Sequence, residues 1–226
     1  MPGPQLDEYL AQGWFRMGQS IFTTDFIPVN MTVHPVFWLR FVLPKVQYKK
    51  KQQRLLLANK NLAVVIKPFL LSEEVEDLYA IYRATVDFDA PPTVESFLLD
   101  GAINSIYDTQ LIEIRDAGRL IAAGIFDNGS TAIAGIMNFY DPAYKAKSLG
   151  KYLMLLKINY AIESGKQYYY PGYIAGGFAK FDYKLFPGEA AAEIYDANKA
   201  EWIPVAGVTL PGGIGIDMID DGTGNG

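Results

Sequence analysis

Three lysines and a glycine stand where a strand-like apolar segment is followed by a helix-like one. The lysines are Lys145, Lys147 and Lys151, the glycine is Gly150, and Ser148 lies among them. A helix N-terminus has unpaired N–H donors and about half a positive charge, ammonium groups add full charges, and a glycine lets a ligand approach the backbone. The pattern therefore predicts an anion site. The alternative is that the lysines only solubilise a loop and that Gly150 packs against a sheet.

Missing residue types exclude several kinds of chemistry. The 226 residues contain no cysteine and a single histidine, His34. Disulfides, thiolate metal sites, cysteine nucleophiles and histidine-rich metal sites are therefore excluded, and we expect no metal site. His34 lies before Pro35 in an aromatic stretch, which favours a structural role for it.

Composition indicates a compact chain with a large core. Half of the residues are hydrophobic and 14% are aromatic. The net charge of −5 argues against a general nucleic-acid binder, although residues 45–54, "KVQYKKKQQR", carry five positive charges and no negative one. That run is either a solvated helix start or a phosphate contact. No signal peptide and no apolar run of about 18 residues is present, so we expect a soluble, cytoplasmic protein without membrane partners.

Hydrophobic periodicity and turn signals predict alternating strands and helices. The predicted elements are a strand over 61–68, a helix over 72–85, a short helix after Thr93, antiparallel strands over 109–116, 117–126 and 131–140, a helix from Ser148 to about 165, a strand over 167–173 and a short helix or turn over 178–186. This order matches an α/β (α+β) fold, the GNAT-like acyl-N-acyltransferase fold, with a central mixed sheet flanked by helices. In that fold the strand before the central helix parts from its parallel neighbour, so the helix N-terminus faces an open cleft.

Composition shifts predict three regions. Residues 1–55 are expected to form a small N-terminal subdomain and residues 56–205 the acyltransferase domain. Residues 206–226 are glycine-rich and acidic, and we expect them to be a flexible tail. We find no internal repeat.

Several blocks resemble the C-terminal domain of the arginyl-tRNA and leucyl-tRNA protein transferases. They are "TQLIEIRDAGRLIAAGIFD", "FYDPAYKAKSLGKYLMLLKINYA", "YYYPGY" and "KFDYKLFPGEA", and the opening "LDEYLAQGWFRMGQSIFTTD" is similar to the family's N-terminal segment. The sequence departs from the family in two places. The N-terminal cysteine cluster is absent, and "TVDFDAPP", residues 85–92, stands where the family has an Arg-His segment.

The resemblance implies an activity and a set of site residues. The implied reaction moves an aminoacyl group, arginyl or leucyl, from charged tRNA to the N-terminal amine of a protein or peptide, with aminoacyl-tRNA as co-substrate and no cofactor. The implied residues for the tRNA acceptor arm are Lys145, Lys147, Ser148, Gly150, Lys151, Lys180 and Lys184. Tyr173 and Tyr183 would stack on acceptor bases or give a proton to the leaving 3′ oxygen. Asp127 and Glu113 would hold a cationic aminoacyl side chain or the acceptor amine.

Other interpretations of the same residues stay open. Tyr173 is equally suited to packing, Asp127 to capping a hairpin turn, and Glu113 to an ion pair with Arg115 on the same face of a strand. Two other functions also remain. One is a coenzyme A-dependent N-acetyltransferase using acetyl-CoA, although Tyr152 stands where a small residue is expected in the pyrophosphate loop. The other is a non-catalytic module that binds RNA or a protein terminus. The sequence leaves the oligomeric state open.

Overall fold

The structure is a computed structural model that describes residues 1–29, 31–86 and 90–206. Its helices are α1 (Gly3–Ala11), α2 (Lys50–Ala58), α3 (Glu73–Arg83), α4 (Val94–Leu98) and α5 (Leu149–Glu163). Its strands are β1 (Phe15–Met17), β2 (Ser20–Phe22), β3 (Phe26–Val29), β4 (Thr32–Val42), β5 (Ala63–Pro68), β6 (Thr109–Asp116), β7 (Arg119–Asn128), β8 (Ala132–Tyr140), β9 (Tyr168–Ala175), β10 (Ala192–Asp196) and β11 (Glu201–Pro204). Short 3-10 helices cover Leu43–Lys45, Pro142–Lys147, Ala179–Leu185 and Glu189–Ala191. Residues 207–226 of the predicted tail, and residues 87–89 of "TVDFDAPP", lie outside the described residues.

Strands β3 to β11 form one mixed sheet, with β5 to β8 as an antiparallel meander. The order across the sheet is β11-β10-β4-β9-β8-β7-β6-β5, with β3 paired to β4. The turn from β6 to β7 passes through Ala117 and Gly118, both at positive φ, as a two-residue hairpin turn requires. Strand β9 runs parallel to β8, and α5 connects them. The predicted α/β fold with a central mixed sheet flanked by helices is confirmed.

Part of the predicted N-terminal subdomain lies inside this sheet. Strand β4 pairs with β9 on one side and β10 on the other, so that Phe41 faces Tyr169 and Trp38 faces Tyr173. The aromatic residues of β4 therefore supply core to the acyltransferase fold itself. The boundary predicted at residue 55 does not separate two sheets, because the strand before it is one of the central strands.

Helices cover both faces of the sheet and bury its alternating side chains. On β6, Leu111 packs with α3 and α4, whereas the next residue, Ile112, packs with α5. The predicted apolar stripe of α5 is present, since Leu149 and Leu153 are fully buried and the rest of the stripe is partly buried. Burying each large apolar side chain contributes about 1.5–3 kcal/mol, which holds α5 firmly against the sheet.

Strands β8 and β9 separate after a short paired stretch. Their paired residues are Ala132, Ile133 and Ala134 with Tyr168, Tyr169 and Tyr170. Beyond this stretch β8 continues to Tyr140 alone on that side, and its register with β7 shifts so that Ile136 is an extra residue between Gly135 and Met137. A bulge of this kind bends a strand. The parting of the strands is the one predicted, and it opens a wedge beside the start of α5.

Candidate functional site

An open cleft of about 400 Å³ lies at the N-terminus of α5. Its lining residues are Tyr82, Asn138, Tyr140, Lys145, Ser148, Gly150, Lys151, Lys180, Phe181 and Tyr183. Among the described residues that line this cleft, none is Asp or Glu. The structure thus brings most of the predicted anion-site residues to one cavity, whose wall is cationic and aromatic.

The chain reaches α5 through a strained turn that leaves the helix start open. Pro142 ends β8, and the Asp141 carboxylate accepts a hydrogen bond from the Ala143 N–H at 2.9 Å. Ser148 then adopts left-handed backbone angles, with φ 49°, and its side chain makes no capping hydrogen bond to the first turn of α5. Such backbone strain costs on the order of 1–3 kcal/mol and concentrates at functional sites. The uncapped N–H groups therefore remain available to an anion at the cleft.

Gly150 opens the cleft rather than serving the packing of the fold. A Cβ built on it would meet only the Tyr140 ring, at 3.6 Å, which is an ordinary contact. The alternative that Gly150 is needed to pack against the sheet therefore has no steric basis here. What the missing side chain provides is access to the first-turn N–H groups.

Replacing Gly150 by alanine should separate stability from donor binding. Alanine is favoured over glycine in helices by up to about 1 kcal/mol, so we expect Gly150→Ala to unfold at the same or a higher denaturant concentration. We expect its affinity for a phosphate-bearing ligand to fall severalfold, because the methyl group stands before the open N–H groups. Chemical denaturation and a binding titration with tRNA check both parts. Equal loss of stability and affinity would contradict this reading of Gly150.

Three predicted residues lie outside the wall of the cleft. Lys147 is half-buried, and its carbonyl accepts a hydrogen bond from the Asn59 amide at 3.1 Å. Lys184 turns inward and donates to the Tyr173 carbonyl at 2.8 Å. The Tyr173 ring packs edge-on against Trp38 and Phe181. Tyr173 therefore has the packing role that the sequence left open, and Lys184 does not join the lysines of the cleft.

Asp127 lies neither in the cleft nor in the turn that it was expected to cap. The side chain is fully buried, and its Oδ1 accepts from the Arg16 guanidinium at 2.8 Å and from the Thr109 hydroxyl at 2.7 Å. Burial raises the pKa of this carboxyl, and the charge of Arg16 opposes that rise. The expected contact with substrate is thus replaced by a buried ion pair. Its partner Arg16 was missed, although an arginine between Phe15 and Met17 in an apolar segment was a signal for a buried cation.

Glu113 also lies away from the cleft, on the face of the sheet that α3 covers. Its carboxylate pairs with Lys67 at 2.7 Å and with Arg115 at 3.1 Å. Arg115 reaches on to Glu74 of α3 at 2.6 Å. The alternative that the sequence left open, an ion pair with Arg115, is confirmed. The expected role of Glu113 in holding a substrate amine is not supported by its position.

The sequence interpretation missed Lys157, a buried lysine in the middle of α5. Its ammonium donates to the carbonyls of Ile125 and Met137 at 2.7 and 3.1 Å and to Oδ1 of Asn138 at 2.9 Å. These acceptors lie at the β7–β8 bulge, where the ladder is interrupted. Burial lowers the pKa of Lys157 to about 7. The available signal was its spacing, since Lys157 is four residues after Leu153 on the apolar face of the helix.

A smaller cavity of about 120 Å³ adjoins the cleft, and we name it the polar chamber. Its lining residues are Gly135, Ile136, Met137, Asn138, Met154, Lys157, Tyr169, Pro171, Tyr183 and Lys184. Asn138 and Tyr183 line both the chamber and the cleft. Burial also lowers the pKa of Lys184 to about 7. The chamber therefore has one fully buried lysine, Lys157, and one half-buried lysine, Lys184, in its wall.

Tyr82 and Tyr183 of the cleft stay protonated at neutral pH. Burial raises the pKa of Tyr82 to about 12, and desolvation also raises the pKa of Tyr183. A protonated phenol is a hydrogen-bond donor and can act as a general acid. Tyr183, which lines the cleft and is exposed, is therefore in the chemical form that the resemblance implies for it.

Tyr152 does not obstruct the cleft. We expected its bulk to weigh against a pyrophosphate loop, but its side chain is buried in the core against the sheet. In residues 1–29, 31–86 and 90–206, no group of His, Asp or Glu side chains is placed to hold a metal ion. Within the same part of the chain, every helix is too short or too polar to cross a lipid bilayer.

Comparison with known proteins identifies the family of this chain. Residues 74–187, about half of the chain, match the family model described as "Arginine-tRNA-protein transferase, C terminus". The chain is 30% identical to an "Aspartate/glutamate leucyltransferase" of Shewanella amazonensis, over 80% of this chain and 76% of that protein. It is 29% identical to a protein of the same name from Methylorubrum extorquens, over 79% of this chain and 76% of that one. The solved structure of FemX overlaps with 84% of this chain and 65% of its own, with a TM-score of 0.45 at 10% identity. The chain belongs to the arginine-tRNA-protein transferase family and is an aminoacyltransferase.

Proposed function

We propose that this enzyme transfers a leucyl group from leucyl-tRNA to the N-terminal amine of a protein that begins with Asp or Glu. The names of its relatives support this acceptor and this donor. Because charged tRNA is the donor, we expect the enzyme to work in the cytoplasm.

The lining of the cleft carries the choice of leucyl over arginyl. Three lysines line it, and its described lining has no carboxylate. The two carboxylates expected to hold a cationic side chain, Asp127 and Glu113, are engaged in ion pairs elsewhere. An arginyl side chain would thus be desolvated among like charges, which is costly. A leucyl side chain would meet aromatic rings and bury apolar surface.

The cleft also suits the single-stranded end of tRNA. The terminal phosphates would bind at Lys145, Lys151 and the first-turn N–H groups of α5. The unpaired bases would stack on the exposed aromatic rings. Lys180, which also lines the cleft, would add to the salt-dependent part of this affinity.

The chemistry needs positioning more than an enzyme nucleophile, because the ester of aminoacyl-tRNA is already activated. The acceptor amine has a pKa of about 7.7–8.0, so part of it is neutral at pH 7. Its nitrogen attacks the ester carbonyl carbon, a new amide bond forms, and the bond to the 3′ oxygen breaks. The amine loses a proton and the 3′ oxygen gains one. Tyr183 would donate to that oxygen, and the uncapped N–H groups would stabilise the developing negative charge.

A transfer assay tests the proposed function. Leucyl-tRNA and arginyl-tRNA, each with a labelled amino acid, are mixed with the protein and peptides that begin with Asp, Glu or Ala. We expect label to move from leucyl-tRNA to the acidic peptides. Transfer from arginyl-tRNA at an equal rate would overturn the donor choice. tRNA binding without any transfer would favour the non-catalytic module, and heat stabilisation by micromolar acetyl-CoA would favour the N-acetyltransferase.

Reversing the charge of Lys151 should weaken tRNA binding more than the same change at Lys147. Lys151 lines the cleft, whereas Lys147, four residues earlier, does not. Each phosphate contact contributes about 0.9 to the slope of log affinity against log salt for duplex DNA and about 0.7 for single strands. We expect Lys151→Glu to lower the affinity for tRNA at least about tenfold. We also expect the slope to become shallower by the contribution of about one phosphate contact.

Lys147→Glu is the matched control, because it makes the same change in net charge beside the same helix. We expect it to lower affinity only a few-fold. Filter binding at three salt concentrations measures both variants. Equal effects would mean that the lysines act through the general field of the protein and not through contact in the cleft.

A further inference from the structure

We propose that the polar chamber binds the side-chain carboxylate of the acceptor's N-terminal residue. Lys184 selects Asp or Glu at that position over the corresponding amide, Asn or Gln. Lys157 acts as a positioning residue. This inference rests on the proposed function and goes beyond it, because it assigns the acceptor subsite to particular residues of this chain. The donor would occupy the cleft, and the acceptor side chain the chamber behind its wall.

The charges in the wall of the polar chamber are unbalanced. The chamber has two lysines in its wall, and its described lining contains no Asp or Glu. Holding an ammonium group in a desolvated site without an anion nearby costs several kcal/mol. Burial lowers the pKa of both lysines to about 7. The charge of Asp127, which lies outside the lining of the chamber, opposes this shift for Lys157 only. An incoming carboxylate would supply the missing charge, whereas a neutral amide would not.

Lys184 is held in place for such a contact. One of its three N–H donors goes to the Tyr173 carbonyl at 2.8 Å, which is its one hydrogen bond to the described part of the chain. Its ammonium lies 4.9 Å from the ring centres of Tyr173 and Phe181. Gly172 makes room for it, since a Cβ there would lie 3.2 Å from the nitrogen. Two donors remain for a ligand, and the side chain is already ordered.

Lys157 contributes through Asn138. All three of its N–H donors have acceptors, and one of these is Oδ1 of Asn138. Because Oδ1 accepts from Lys157, the amide NH₂ of Asn138 is the end directed away from the ammonium. Asn138 lines both cavities. Lys157 thereby orients an N–H donor of Asn138 towards the boundary between the two cavities. The chamber would hold the acceptor side chain on one side of this boundary, and the cleft would hold the donor ester on the other.

The size and position of the chamber fit an acceptor of this kind. Its volume of about 120 Å³ holds several waters or one short acidic side chain. Asn138 and Tyr183 line both the chamber and the cleft. An acceptor whose side chain enters the chamber therefore leaves its α-amine at the cleft. That is where the ester carbonyl of the donor must lie for the amine to attack it.

The test compares acidic acceptors with their amides. Peptides identical except for a first residue of Asp, Asn, Glu or Gln are assayed with leucyl-tRNA, and the ratio of kcat/KM for acid over amide is measured. We expect Lys184→Met to lower this ratio at least about tenfold, mainly through KM for the acidic peptides, because a charged hydrogen bond is lost. Lys199→Met, at an exposed lysine on the turn between β10 and β11, is the control and should leave the ratio unchanged.

The ratio should also depend on pH. The chamber's titratable groups are Lys157, Lys184, Tyr169 and Tyr183, with the buried Asp127 acting on Lys157 from outside. Only the lysines titrate near neutrality. As the pH rises through about 7 they lose their protons in the free enzyme, so the acid-over-amide ratio should fall. In Lys184→Met that fall should be smaller. The ionisation of the peptide amine largely cancels in the ratio.

The outcomes distinguish this proposal from the proposed function. If the wild-type enzyme transfers leucine to acidic peptides and Lys184→Met keeps the wild-type ratio, the chamber is not the acceptor subsite although the function holds. If the wild-type enzyme transfers to no peptide, the proposed function fails first. Circular dichroism and thermal unfolding verify that Lys184→Met is folded. Lys184→Gln, which retains donors without charge, provides a second variant and should also lose the preference for the acid.

Discussion

Replacing Arg16 by methionine is expected to lower the free energy of unfolding by about 3–5 kcal/mol, because it leaves a buried carboxylate without its cation. The Arg16 and Asp127 side chains are 1% and 0% exposed and lie 2.8 Å apart. Arg16 also donates to the Leu98 carbonyl and to the Thr109 hydroxyl. It thereby ties β1 to α4 and β6. Urea denaturation measures the loss.

A second substitution should recover part of that stability. In Arg16→Met with Asp127→Asn, the residue at position 127 is neutral and can still bond the Thr109 hydroxyl. We expect the double variant to be more stable than Arg16→Met alone, which would be a coupling of contacting residues. The exposed pair of Lys199 with Asp196 is the control, and Lys199→Met should change stability by less than about 1 kcal/mol. If Arg16→Met behaved like Lys199→Met, the ion pair would contribute little.

The loss in Arg16→Met should shrink as the pH falls. Burial already raises the pKa of Asp127 with Arg16 present, and removing the guanidinium takes away the charge that opposes this rise. The folded variant then binds a proton that the unfolded chain, with an Asp pKa of about 3.9, does not. The stability of the variant relative to the wild type therefore increases as the pH drops through the raised pKa of the folded state. Denaturation of both proteins at about pH 8 and about pH 5 should show this, because the titration of Lys157 and Lys184 is common to both and largely cancels in the difference.

Much of the fold could be predicted because its signals are local. The apolar stripe of α5, the hairpin turn at Ala117 and Gly118, and the break after β8 follow from periodicity and turn chemistry within a few residues. The cleft could be predicted as well, since a helix start with lysines and a glycine is a sequence-local feature. Its predicted members Lys145, Gly150 and Lys151 do line the cavity.

What the sequence did not reveal depends on long-range pairing. Nothing local to β4 says that it lies between β9 and β10, because its partners stand about 130 and 150 residues later. Asp127 was read as a site residue because its partner Arg16 is 111 residues away. Lys157 was passed over because a lysine within a helix usually faces solvent. The polar chamber exists only where β8 and β9 separate, which neither strand shows alone.

The point of separation offers the second prediction, Gly135→Ala. A Cβ on Gly135 would lie 2.8 Å from the Tyr169 hydroxyl oxygen and 3.1 Å from a carbon of its ring. The Tyr169 side chain is 1% exposed and packs in the core, so it has little room to withdraw. We expect Gly135→Ala to cost about 1–3 kcal/mol of stability. We also expect a larger loss of transfer to acidic peptides than of tRNA binding, because Gly135 and Tyr169 line the chamber.

If the clash with Tyr169 causes the loss, a second substitution at Tyr169 should recover part of the stability of Gly135→Ala. A general loss of strand stability would not be recovered in this way. Tyr169→Phe removes the oxygen that the new methyl group meets at 2.8 Å, so Gly135→Ala should cost less in that background than in the wild type. Denaturation of the four proteins measures the coupling, and purely additive losses would contradict the steric explanation. Gly150→Ala serves as the matched substitution, since its Cβ meets nothing closer than 3.6 Å. Gly135 thus keeps the chamber open for the acceptor, and Gly150 keeps the cleft open for the donor. Because only Gly135 lies against a buried side chain, we expect a stability cost at Gly135 and none at Gly150.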